Sequence, residues 1–176
     1  RSMNPSGDPS KAALIDALAK WASVAVCAIS AIVPFLPAID GEFLGWDDQK
    51  NFLMNLDYRG MSWSNILSAF TTFRLGVYQP FAWLMFSIEY LVFDMQPAGY
   101  HVVSLLLHLL NSILILVVAF EIARAASGRI PPRLLWPACA VVTSLFVMHP
   151  LRVEAVAWVS AQPYLPCIAF CLLSVF

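Results

Sequence analysis

Two adjacent carboxylates, Asp47 and Asp48, stand in a stretch that also carries Asp40, Glu42 and Asp57. Neighbouring carboxylates suit a general base or an oxygen-seeking divalent cation, and they suit equally a solvated acidic turn. A second set, His149, Arg152 and Glu154, follows an apolar run and puts a cation beside an acid, or makes a polar helix exit. A third, His101, Ser104, His108 and Asn111, recurs at helical spacing inside another apolar run. Polar groups are costly in hydrocarbon. That stripe is either hydrogen-bond glue between helices or one wall of a polar cavity. No nucleophile elbow, P-loop or dinucleotide glycine signature competes with these groups.

What must position them is a membrane protein. The chain has 176 residues, 60% hydrophobic and 12% charged, with a net charge of −1, and its mean hydropathy is +0.75. An ordinary soluble domain runs roughly 45–50% apolar and about 25% charged. Too little polar surface remains to solvate a compact globule. The composition excludes a cytosolic enzyme, a disordered tail and a secreted disulfide scaffold. With 10 Lys and Arg in all, it also lacks the clustered basic face that nucleic acid requires. The four cysteines show neither a Cys-Xaa-Xaa-Cys pair nor zinc-ligand spacing, and read as small hydrophobes.

The expected fold class is all-α, a polytopic integral membrane protein with three full transmembrane helices, the start of a fourth, and an outer juxtamembrane helix. The first span covers 12–37, with Pro34 and Pro37 stopping the helix. An outer acidic loop covers 38–79 and includes a short amphipathic stretch from Trp63 to Phe73. The juxtamembrane helix occupies 80–94; at ~1.5 Å per residue it is short for a ~30 Å hydrocarbon core. The second span is 100–123, the third 134–149, and a polar outer loop 150–164 leads to a fourth run at 165–176. Arg1, Lys11 and Lys20 before the first span, and Arg124, Arg129 and Arg133 between the second and third, mark the cytoplasmic side. The N-terminus is then cytoplasmic, and the Asp47 and His149 segments share the outer face. Membrane lipids and other transmembrane chains are the expected partners.

Three stretches carry a resemblance: FLGWDDQKNFLMNLDYRG, YQPFAWLMFSIEYLVFDMQPAGYHVVSLLLHLLNSIL and LFVMHPLRVEAVAWVS, in this order over roughly residues 40 to 165. The chain resembles the GT-C glycosyltransferases, more closely the bacterial relatives of the transmembrane-and-TPR O-mannosyltransferase family. The resemblance implies a bacterial inner membrane, a polyprenyl-phosphate sugar donor and an acceptor on the outer face. It implies that Asp47 and Asp48 are catalytic, one serving as base toward an acceptor hydroxyl or as a metal ligand. It implies that His149 and Glu154, with Arg152, face the donor phosphate directly or through a divalent cation. Departure of a phosphate needs a cation or Lewis acid nearby. Against the family pattern, Gln162 and Tyr164 stand where an arginine and an acid are usual, and Ser104 where an asparagine is. Two expectations follow, the first from the retained Asp47/Asp48 and His149/Glu154 sets and an apolar run that breaks off at Phe176, the second from Gln162, Tyr164 and the short length. One is an N-terminal fragment or truncated homologue of such a transferase. The other is a non-catalytic transmembrane subunit derived from the same fold.

Overall fold

The computed structural model describes residues 9–175. The charge of Arg1 and the final residue of the fourth run lie outside the described residues. Among those described, the chain is all-helical: its one β feature is an isolated bridge between Arg74 and Val77, and there is no strand.

Helix α1 runs Pro9–Ile32 and tightens into a 3-10 helix over Val33–Asp40. The prolines therefore change the winding rather than end it. A 3-10 turn accommodates Pro37, which has no N–H to donate. Together Pro9–Asp40 is long and apolar enough to cross a membrane, and so is α4, Pro97–Ser127. The chain is an integral membrane protein. The third expected span is a correction. Helix α5, Pro132–Val147, has 16 residues, and the helical stretch Pro150–Ala157 after it is bent from it by 61°. This pair makes a crossing only if its two limbs count as one, because Pro150 breaks the ladder that would have continued α5. The fourth run also falls short: α7, Tyr164–Leu173, has 10 residues. Among the described residues there are thus two spans, or three at most.

Between the spans lie a π-helical turn at Gln49–Leu53, helix α2 at Trp63–Thr71 and helix α3 at Pro80–Phe93, with the short α6 at Val153–Ala157 later in the chain. Ser62 and Asn65 form a reciprocal capping box that starts α2. The reversal from α2 to α3 places Leu75 at φ 49° and Gly76 at φ 79°, a left-handed pair that a tight two-residue turn demands.

Two compact units result. One comprises 9–34, 108–150 and 169–175. In it α1 packs along α5, Phe120 stacks on Trp136 at 3.8 Å between ring centroids, and Asp16 accepts a 3.0 Å bond from the Arg133 amide. The other comprises 35–107 and 151–168. Its core is aromatic: Phe52, Phe86 and Tyr100 are at most 1% exposed, and Phe52 meets Phe86 edge-on at 4.9 Å, the geometry that ring quadrupoles favour.

Candidate functional site

The chemistry-bearing groups of the second unit gather around Asp48. The turn Leu44-Gly45-Trp46-Asp47-Asp48 folds back so that Asp48 Oδ2 accepts from the Leu44 amide at 2.9 Å. Asp48 Oδ1 accepts from the Ser160 amide at 3.0 Å and from the Ser160 hydroxyl. Asn51 Nδ2 donates to that hydroxyl at 3.1 Å. Beside them Trp46 meets Trp158 edge-on at 6.2 Å. The acidic loop and the segment after α6 are therefore fastened to each other through one carboxylate. Asp48 is 0% exposed, whereas Asp47 is only half-buried.

The polar stripe of α4 divides. His101 lies against the same site, within electrostatic range of Asp48, 2% exposed and with neither ring nitrogen hydrogen-bonded. Ser104 accepts from Gln162 Nε2 at 3.1 Å. In the other unit, His108 pairs through Nε2 with the Val147 carbonyl at 3.1 Å, and Asn111 is buried. His108 thus acts as glue between α4 and the end of α5. Of the second set, His149 and Glu154 are exposed and Arg152 is half-buried. Among the described residues no three His, Cys, Asp or Glu side chains gather closely enough to hold a metal ion.

Gly41 brings the backbone up to His101. A Cβ there would sit 2.9 Å from the Ala38 carbonyl oxygen and 3.2 Å from His101 Nε2. Gly41→Ala is expected to displace the imidazole and to cost about 1–3 kcal/mol, read as a lower unfolding midpoint in detergent. An unchanged midpoint would mean the loop yields instead.

Sequence reasoning missed the role of two buried polar residues of the same unit. Glu89, on α3, is 3% exposed and neither carboxyl oxygen has a hydrogen-bond partner. Burial pushes its carboxyl up to about 8, with the neighbouring Gln162 carboxamide pulling weakly the other way. The signal was present: Glu89 is the single charge in the run Pro80–Phe93, and an ionisable group in an apolar helix marks a site. Gln162 is the other. It is 0% exposed and donates to the Tyr100 carbonyl at 3.0 Å as well as to Ser104.

Comparison with known proteins supplies the relationship. The chain is 32% identical over 172 residues to protein O-mannosyl-transferase TMTC4 of Homo sapiens, covering 88% of this chain and 22% of that protein. The Mus musculus protein of the same name gives 31% over 172 residues, with the same coverage. This chain is a TMTC-like relative of the protein O-mannosyl-transferases. The Drosophila melanogaster protein O-mannosyl-transferase Tmtc1 adds 30% over 144 residues, 77% of this chain and 16% of that protein. No protein-family model matches, and neither does any solved structure. The chain spans about a fifth of the length of TMTC4. These relatives are animal proteins, and none supports the bacterial inner membrane expected from the sequence.

Proposed function

We propose that this chain carries part of the membrane-embedded site of a GT-C glycosyltransferase, one that moves a sugar from a polyprenyl-phosphate donor to an acceptor hydroxyl outside the cytoplasm. The observation that supports this reading is the fastening of the Asp47-Asp48 loop to the segment after α6 through Asp48 and Ser160. A transfer site of this kind needs a base and a group for the donor phosphate to be brought together, and these are the two segments that would supply them.

In this reading the two carboxylates divide the work. Asp48 has both oxygens engaged and no exposed surface, so it positions. Asp47, half-buried, takes the acceptor proton. Arg152 and Glu154, which share a unit with Asp47, face the donor phosphate, Arg152 offsetting the charge of the leaving group. In the full-length natural protein, Asp47→Asn should lower sugar transfer to an acceptor peptide by roughly 10²–10⁴-fold while leaving membrane insertion intact. Transfer at the wild-type rate would remove Asp47 from the mechanism.

The reading requires the acidic loop on the outer face and the N-terminus inside. On a background with the four cysteines replaced by alanine, a membrane-impermeant thiol reagent applied from outside should label Met61→Cys and spare Ala126→Cys. The opposite pattern would overturn the orientation.

Gln162 favours a second reading, a non-catalytic transmembrane subunit. Where the family has a cation, this residue is buried and spends both amide hydrogens on α4. Leu134, Val141, Val142 and Leu145 on α5 stand 59–66% exposed, and in such a subunit they would meet lipid or other transmembrane chains. Stoichiometric copurification of the wild-type protein with other membrane chains, without sugar transfer, would favour it.

A further inference from the structure

Glu89 and Gln162 present an excess of acceptors. Gln162 has two amide hydrogens, and both are committed, to the Tyr100 carbonyl and to Ser104 Oγ. Its Oε1 is buried without a partner, as are both oxygens of the Glu89 carboxyl beside it. Three buried acceptors with no donor among them cannot satisfy one another, and each unmet group costs about 1–3 kcal/mol. A donor must be supplied.

Among the described residues no cation is paired with the Glu89 carboxyl. Helix α2 packs on α3 and has no ionisable side chain. From the loop before it, Arg59 lies over the Tyr90 ring at 6.0 Å and donates to the Phe52 and Leu53 carbonyls. Arg74 lies over the Trp83 ring at 5.4 Å and pairs with Asp57. From α4, the Tyr100 phenol is in electrostatic range of Glu89, and its O–H is given to the Asp94 carbonyl at 3.1 Å. Among the described residues no basic side chain forms an ion pair with Glu89.

We propose that Glu89 is a proton-binding site: held as a neutral acid, it donates its O–H to Gln162 Oε1 and so latches α3 to the segment that holds Asp48. Binding one proton supplies the missing donor and removes the uncompensated charge together. Gln162 lies two residues beyond Ser160, whose amide and hydroxyl bond Asp48. When the proton leaves to solvent, the O–H offered to Gln162 Oε1 is gone, an uncompensated charge is left buried at Glu89, and the latch opens. Glu89 is thus a positioning residue, whether or not the chain transfers a sugar.

Infrared spectroscopy of the purified protein, titrated with pH, tests this directly. The expected result is a protonated-carboxyl carbonyl band at neutral pH that fades as pH rises through about 8. Glu89→Gln should lack it, and Gln162→Leu should keep it at the higher frequency of an unbonded acid. Absence of the band at neutral pH, or its persistence in Glu89→Gln, would overturn the proposal. So would a fading midpoint that moves with added sodium or magnesium ions, because a metal ion would then occupy the oxygens. The wild-type titration needs no variant, and Gln162→Leu keeps the assignment testable if Glu89→Gln does not fold.

Discussion

Asp48→Ala should destabilise the protein by about 3–5 kcal/mol, a size reserved for broken buried networks. Removing the carboxylate leaves the Leu44 and Ser160 amides without the acceptor they now share. A buried unmet donor costs about 1–3 kcal/mol, and more when its lost partner was charged. The Ser160 hydroxyl keeps its bond from Asn51 but loses the acceptor for its own hydrogen. Asp48→Asn should cost nearly as much, because the carboxamide turns a donor toward one of the amides. Asp47→Asn, at a half-buried position, should fall within about 0.5 kcal/mol of wild type. Ser160→Ala should cost less than Asp48→Ala, and the double variant should cost less than the sum, since both remove the same contacts. Chemical denaturation in detergent reads all five. An Asp48→Ala loss below about 1 kcal/mol would mean that this carboxylate does not bolt the two segments. The contrast also protects the functional reading: activity lost in Asp48 variants would reflect a displaced loop, and only Asp47 variants separate chemistry from folding.

That division of labour was not legible in the sequence. Adjacent carboxylates look alike until the fold buries one, and the partner that buries Asp48 lies 112 positions away. Local pattern cannot report a contact at that separation. The long apolar stretches were legible, because hydrocarbon selects on composition over about 20 residues. What composition did not carry was continuity. The run 134–149 is apolar enough to cross, yet α5 ends at Val147 and the chain turns through 61° where Pro150 interrupts the ladder. Proline also misled in the other direction: Pro34 and Pro37 read as a stop, while the helix continues as 3-10 to Asp40.

Gln162 shows a subtler limit. Measured against a family pattern it looked like a lost cation, a deficit. In the fold it is a fully buried tie that ends on the Tyr100 carbonyl and on Ser104. Ser104, the other departure on α4, is the hydroxyl that receives it. Two of the three departures are thus one contact, and neither residue alone in the sequence reveals the other.

Glu89→Gln should remove most of the pH dependence of stability in this region, and the sign follows from linkage. The carboxyl of an unfolded chain titrates near 4.5, and burial raises it to about 8 in the folded protein. A raised acid is stabilising while protonated: its contribution is complete below the unfolded value and is lost as pH climbs through the folded one. Between those limits the wild type should lose up to about 5 kcal/mol, at ~1.4 kcal/mol for each step of one in pH. Glutamine has nearly the same shape, bears no charge at any of these pH values, and still offers N–H donors to the Gln162 oxygen. Wild type and variant should therefore be close in stability near pH 4.5. The variant should draw ahead steadily above that point and hold its full advantage above about 8. Unfolding free energies of both proteins, measured in one detergent across this range, decide the matter. Parallel pH profiles would mean that Glu89 reaches water or a counter-charge, and that its carboxyl is not a buried acid. A variant less stable than wild type at every pH would instead make the carboxylate itself the stabilising species.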